Sequence, residues 1–511
     1  MKKNTDSKIE NRFNLVDEPW IPIPEIGLVS LRRLFQDTSL RALGGNPVQK
    51  IAVMKLLLAI CQAACTPKDD TEWTKLGPKG LAKKVLTYLE DHRDCFWLYG
   101  EKPFLQIPAI AQAEKQPFGA VMPDIATGNT TILTHSQIQR QLSDPDKALL
   151  VVQLISMAQG GKKTDNKIVL TSGYRGKYNE KGRAATGKPG TGLGFLGYLH
   201  NVLTGSNLLE TLWLNLLTEK NIKDLGIFPK GVGPIPWETP PKGESDTIAE
   251  KLKKSLMGRL VPFSRFLLLA EDGVHYSEGI AYPNHLEGVT DPSVALDKSG
   301  KKPQVLWTDP SKRPWRSLPA LLEFLKGETA AFNCPYISFG IYRGRKKLSH
   351  IGLWSGGLRV SSNAGEQYVS GTDDYVESEL FFESKWFDEY FYINLKKETA
   401  VLDDISRILY GCIMGYYKSL KTDGKVYAEK ACELFWQLCE RKAQNLLDAC
   451  GDEDGKEAET LRSYFLGRVR YVYENYCPRD TARQLQAWAE HYPNLIRFSK
   501  PKEPTKVQAD S

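Results

Sequence analysis

Residues that interrupt regular structure are spread unevenly along this 511-residue chain. Glycine and proline recur throughout the first 370 residues, then become sparse from Asp373 to Tyr492. Proline inside a helix removes a hydrogen bond and clashes with the preceding turn, and glycine there costs about 1 kcal/mol relative to alanine. A long stretch poor in both, with apolar residues recurring every three or four positions, is constrained to be helical. The spacing predicts helices near Phe387–Lys421, Lys425–Cys450, Lys456–Tyr476 and Arg479–Glu490. Four helices of that size joined by short links make a bundle. The last residues, Phe498–Ser511, are polar and read as a frayed tail.

Before that bundle the pattern is mixed. Apolar residues at helical spacing mark Val48–Cys65, Trp73–Glu90 and Ser143–Gln159, the last with Ser143 or Asp144 as cap and Pro145 in the first turn. Phe13–Val16 and Trp20–Ile23 read as a strand pair, and Leu256–Ala270 and Val274–Tyr282 as further β-like runs. The expected fold class is α+β: a large mixed N-terminal domain, residues 1–370, followed by a C-terminal four-helix bundle, residues 371–511. None of the nine cysteines is paired as CxxC, which argues against a zinc ribbon. Their odd number and the lack of a signal-peptide pattern lead us to expect reduced thiols and a cytoplasmic protein, with no membrane partner.

The net charge of +7 permits nucleic acid without demanding it, so local clustering decides. Residues 159–194 hold nine glycines and eight lysines or arginines, opposed only by Asp165 and Glu180. Glycine lets a backbone approach a ligand closely, and lysine and arginine neutralise phosphate. The segment reads as a cradle for a polyanion or as an idle, solvated loop. A second cluster, Arg343-Gly344-Arg345-Lys346-Lys347, sits between two strand-like runs, so that Tyr336–Val360 reads as a β-hairpin with a basic tip. Such a tip either solubilises the protein or enters a DNA groove.

Other motifs carry less. Gly192–Gly197 matches GxGxxG, but the preceding KGRAATGKPGT cannot be the buried strand that a dinucleotide site needs. The histidines form no HExxH or HxH pair, and His200 reads as a satisfied core group. Adjacent carboxylates at Asp373-Asp374 and Asp403-Asp404 point to different faces of whatever element carries them. No catalytic, cofactor-binding or metal site is expected.

Taken in order, these pieces resemble the CasA family, the large subunit of the type I-E CRISPR surveillance complex Cascade. The matching residues are Phe13-Asn14-Leu15-Val16-Asp17-Glu18-Pro19-Trp20-Ile21-Pro22, the helix ending LLLAICQAACTPKDD (56–70), Lys102–Gln106 and the Gly128-Asn129 loop. They continue through the basic glycine-rich loop, Gly205–Leu212, FGIYRGRKK (339–347), WSGGLRV (354–360), Cys477-Pro478 and Ala482–Leu485. The resemblance implies a non-catalytic subunit. It would recognise the protospacer-adjacent motif (PAM) in target double-stranded DNA, help open the duplex for R-loop formation, and help recruit the helicase-nuclease of antiviral defence. It implies as partners the backbone, small and 5'-handle-binding subunits and the CRISPR RNA. The implied groove-facing glycine loop falls at Gly160, Gly161, Lys162 and Lys163, with Ser172-Gly173 as the other placement. The implied wedge maps to Gly344, Arg345, Lys346 and Lys347, following Tyr342-Arg343, with Arg343 counted among the DNA-binding residues; here cations replace the amides of relatives. A loop touching the complex's core or nucleic acid maps to Asn129, Thr130, Thr131 and Ile132. Two other readings stay open: an RNA-binding scaffold that does not read DNA, and a nucleotide-cofactor enzyme using Gly192–Gly197.

Overall fold

The computed structural model describes residues 10–122, 141–158, 164–184, 191–327, 330–360, 375–452 and 456–499. The chain forms two compact units: Met1–Pro310 with Ala331–Glu379, and Ser311–Ala330 with Leu380–Ser511. The division expected at residue 370 thus omits an excursion, since residues 311–330 leave the first unit for the helical one.

The first unit is built on three helices that the sequence marks clearly. Helix α1 (Pro47–Ala64) opens with a capping box, in which Asn46 accepts from the Gln49 N–H and the Gln49 side chain accepts from the Asn46 N–H. Nearly all of α1 is buried, including Lys55. Helix α2 (Asp70–Asp91) is capped by Asp69 and kinks at Gly77, whose φ of 58° needs glycine. Helix α3 (Asp144–Ser156) starts from a Ser143–Asp146 capping box.

Small sheets pack around these helices. Strand β1 (His200–Thr204) leads into α4 (Leu208–Asn215), capped by Asn207. Strands β2 (Arg265–Leu269) and β3 (Val274–Glu278) pair antiparallel, from Arg265 opposite Glu278 to Leu269 opposite Val274. The run expected as β-like from Leu256 begins instead with a helical turn, Met257–Leu260. The two N-terminal strands do not pair with each other. Arg12–Asn14 pairs with Trp97–Tyr99, while Ile21–Ile23 turns back onto Gly27–Val29 through positive φ at Glu25 and Gly27.

The largest departure from expectation is at 335–358. Helix α5 (Pro335–Gly344) replaces the first hairpin strand, and only β4 (His350–Leu358) is a strand. Pro335 pre-sets the first helical turn, and Ile337, Gly340, Ile341 and Gly344 bury one face at helical spacing. Strand β4 instead lies between β1 and β5 (Tyr375–Glu383), with Gly352 opposite Thr204 and Gly356 opposite His200.

The helical unit contains α6 (Glu389–Ser419), α7 (Lys425–Glu440), α8 (Ala443–Gly451), α9 (Lys456–Tyr476) and α10 (Ala482–Glu490). The single helix expected over Lys425–Cys450 is interrupted at Arg441-Lys442, where Lys442 leaves helical geometry. Leu395, Leu402, Ile405, Leu409 and Ile413 give α6 its buried stripe. A part-buried Arg462–Glu398 pair (Nε to Oε2, 2.9 Å) braces α9 against it. The excursion completes this core. Trp315 packs on Trp436 (ring centroids 5.9 Å), and the Arg316 guanidinium lies 3.5 Å over the Trp436 ring while reaching Asp403 at 3.0 Å.

Candidate nucleic-acid interface

The basic glycine-rich segment is partly a docked arm. Of its length, 164–184 and 191–194 are described. Gly160, Gly161, Lys162 and Lys163 lie outside the described residues, as do Asn129, Thr130, Thr131 and Ile132. Asp165 donates its N–H to Tyr276 O (2.8 Å), and the Asn166 side chain accepts from Glu278 N (3.1 Å), so the arm begins along β3. Tyr178 then bridges Ala184 in a small antiparallel turn, inside which the Asn179 side chain accepts from the N–H groups of Lys181 and Arg183.

One lysine of this segment does not face solvent. Lys177 is fully buried and pairs with Glu244, also fully buried, at 2.6 Å. Its ammonium also donates to Ile168 O (2.7 Å) and Ser277 Oγ (3.0 Å). The Glu244 carboxylate in turn accepts from the N–H groups of Leu170 and Thr171. Burial lowers the lysine's affinity for its proton, and Glu244 offsets this. Burial alone would raise the Glu244 carboxyl, but Lys177 and the backbone donors hold it below its ordinary value. Lys167, Arg175, Lys181 and Arg183 remain exposed, with Glu180 as the neighbouring exposed acid.

The second cluster divides differently from expectation. Its five residues span the end of α5 and the turn into β4, so the hairpin tip is corrected to a helix C-terminus, where cations meet the helix dipole favourably. Arg343 and Gly344 are buried. The Arg343 guanidinium donates to Leu216 O (2.9 Å), Asn221 Oδ1 (3.1 Å) and Phe339 O (3.2 Å). It lies 4.6 Å from the Trp73 ring centre, 3.7 Å from an Asp70 oxygen. Burial pushes its pKa down to about 10. Trp73 also stacks on Trp213 at 3.7 Å, each indole N–H donating to the other's backbone carbonyl. A Cβ at Gly344 would come within 2.6 Å of Leu214. Arg345, Lys346 and Lys347 are the exposed remainder.

The GxGxxG match serves packing. It precedes β1 rather than following a strand, and a Cβ at Gly192 would sit 2.3 Å from Ser156 O. Gly197, at φ 80°, closes against Leu358 O. Among the described residues no group of three or more His, Cys, Asp or Glu side chains is placed to hold a metal.

A second buried polar cluster joins α1 to β1. Lys55 pairs with Asp291, with both side chains almost fully buried, and lies 4.6 Å from the Tyr336 ring centre. Asp291 also accepts from Ser293 N and Oγ, both at 2.7 Å. His200 has Ser293 Oγ at 2.7 Å from Nδ1 and Leu193 O at 2.7 Å from Nε2; a neutral ring donates its Nε2–H to Leu193 O, and the single Ser293 hydroxyl proton serves either Nδ1 or Asp291. Burial pushes the His200 pKa down to about 4, with Lys55 adding to the effect and Asp291 opposing it. An unfolded histidine titrates near 6.5, so between pH 6.5 and 4 the unfolded chain binds the extra proton, and stability rises with pH across that window. This contribution is complete above pH 6.5 and is lost as pH falls toward 4. On changing from pH 7 to pH 4.5, a His200→Gln variant is expected to lose about 2–3 kcal/mol less unfolding free energy than the parent, measured by urea titration at both pH values. Equal losses would remove His200 from the acid response.

Comparison with known proteins bears on this chain as a whole. A family model described as CRISPR-associated protein Cse1 matches residues 14–472. The CasA/Cse1 protein of Thermus thermophilus is 29% identical over 350 residues, an alignment covering 63% of this chain and 62% of that relative's length. Thermobifida fusca Cse1 superposes with a TM-score of 0.73 at 18% identity, covering 97% of this chain and 98% of that one. Thermus thermophilus CasA gives 0.70 at 19% identity over 95% and 100%. A chain of a CRISPR RNA-guided surveillance complex gives 0.65 at 14% identity over 94% and 98%. These structures share the fold, and the family model spans nearly the whole sequence: the protein belongs to the CRISPR-associated Cse1 family.

Proposed function

We propose that this chain is the large subunit of a type I-E CRISPR RNA-guided surveillance complex in the cytoplasm. In that role it binds target double-stranded DNA beside the PAM, helps open the duplex and helps recruit the helicase-nuclease, with no catalysis of its own. Its partners are the backbone, small and 5'-handle-binding subunits together with the CRISPR RNA. The observation that carries the DNA contact is the cationic turn Arg345–Lys347, exposed at the end of a helix whose last turn is locked into the core by Arg343. Fixed cations fit a phosphate backbone, and in RNA-guided recognition the protein reads only a short duplex motif while base pairing reads the rest. Three adjacent cations grip phosphate better than they replace a base pair by stacking, so this turn holds the duplex rather than wedging it.

The test is duplex binding by the assembled complex with Arg345, Lys346 and Lys347 all changed to alanine. Assembly is expected to be unaffected. The slope of log affinity against log salt is expected to become shallower by about 2–3, at about 0.9 per lost phosphate contact. An unchanged slope would remove the turn from the DNA interface. Competition by single-stranded RNA, but not by duplex DNA, would favour an RNA-binding scaffold instead.

A further inference from the structure

Resting on that duplex-binding reading, we infer that residues 167–184 form a second, pre-positioned phosphate-gripping arm, and that Lys177 acts as its latch rather than as one of its DNA contacts. A basic glycine-rich loop that stays free must be ordered when it binds, which costs affinity; a loop already docked avoids that cost. Here the docking is explicit. Glu244 holds the arm's backbone through the Leu170 and Thr171 N–H groups, and its charge is met by Lys177 on the outgoing limb. Lys177 returns to the incoming limb through Ile168 O, so one lysine closes the loop on itself and on β3. The anchoring segment approaches closely as well. A Cβ at Gly243 would lie 2.3 Å from Thr171 Oγ1, which accepts from Ser245 N. With its base fixed, the arm presents Arg175, Lys181 and Arg183 outward beside the exposed Tyr178, while Asn179 holds the turn that carries two of them.

The charge pattern fits a polyanion better than a protein partner. The exposed arm residues are cations, small polar groups and one tyrosine, with Glu180 the only exposed acid among the described residues 167–184. Because the latch is buried and already paired, its removal should act on DNA only by releasing the exposed cations of the arm, chiefly Arg175, Lys181 and Arg183.

The experiment uses the complete complex with its guide RNA and compares a PAM-bearing duplex with one whose PAM is scrambled. Arg175→Ala/Lys181→Ala/Arg183→Ala changes exposed side chains only and is expected to reduce the salt slope by about 2–3. Lys177→Met/Glu244→Gln removes both buried charges; it is expected to reduce the slope by a similar amount and to speed amide hydrogen exchange across 168–177. Combining the two sets should lower the slope no further. Should the latch pair prevent assembly, Glu244→Asp, which keeps the charge and shortens the reach, replaces it in the same two readouts. A wild-type slope in the arm variant overturns the surface. Wild-type slope and exchange in the latch variant overturn the latch. If the parent complex shows no preference for the PAM-bearing duplex, the duplex-reading function itself falls, whatever the arm does; if that preference is present and the arm variant is silent, only the arm falls.

Discussion

Changing Lys55 to methionine is expected to lower the stability of the N-terminal unit by about 3–5 kcal/mol, the range for breaking a buried pair by removing one partner. Methionine fills most of the space, so the loss is electrostatic. Asp291 stays buried, and of its partners only the Ser293 donors remain, with His200 held neutral nearby. Lys55 stands on α1 and Asp291 lies beside β1, and the ammonium also faces the Tyr336 ring on α5, so three elements lose a common tie. The double variant Lys55→Met/Asp291→Asn removes both charges while keeping an acceptor for Ser293, and much of the loss should return. Denaturant titration of the single and double variants checks this, since the interaction energy appears as their non-additivity. A Lys55→Met protein as stable as the parent would mean that the pair contributes nothing.

Arg343→Ala should cost a similar amount, about 3–5 kcal/mol, although by sequence it belongs to a surface cluster. The change deletes a buried guanidinium and leaves Leu216 O without its donor, at about 1–3 kcal/mol for a buried group unsatisfied, while Asn221 Oδ1 keeps only the Thr218 N–H. It also removes the cation from the face of Trp73, a contact worth up to about 2 kcal/mol when desolvated. Lysine keeps the charge but cannot supply the planar fork, so Arg343→Lys should fall between the two. Each alanine at Arg345, Lys346 or Lys347 should shift stability by no more than about 0.5 kcal/mol. Within one run of five residues, then, the first arginine is expected to govern folding and, under the proposed function, the last three cations are expected to govern salt-dependent DNA binding. Urea titrations and gel-shift salt series on the same variants separate the two effects. A salt slope altered by Arg343→Lys in a fully assembled complex would contradict the division.

How far the sequence disclosed this follows from the range of the interactions involved. The C-terminal helices were legible because their cause is local: apolar residues at helical spacing and few breakers, with only the break at Arg441-Lys442 unmarked. Helices α1, α2 and α3 were legible for the same reason, reinforced by their caps. The 335–344 segment is not legible as a helix because a ten-residue, largely apolar stretch with glycines suits either period; Pro335 and the 337/340/341/344 spacing favour the helix only once contacts from distant sequence, notably Asn221 and Trp73 with Arg343, hold it in the core. Lys177 shows the same limit in electrostatics. Among eight basic residues nothing local marks it as the buried one; Glu244 does, from roughly 70 residues downstream. The GxGxxG match, by contrast, could be set aside from its upstream neighbours alone, and Gly192 and Gly197 prove to be places where backbone meets backbone.

The excursion of residues 311–330 has a consequence for synthesis. Trp315 and Arg316 leave the ribosome roughly 120 residues ahead of Trp436, the side chain that covers them. At about 5–20 residues per second, that interval is on the order of 6–24 s. Throughout it the Trp315 indole lacks the Trp436 ring, and for about the first half of it the 331–379 segment that finishes the first unit is still emerging. The first unit is complete in sequence at Glu379, so it can close while the 311–330 excursion still waits for the helices that bury it, and that wait is a window in which a chaperone that recognises aromatic segments would find a target.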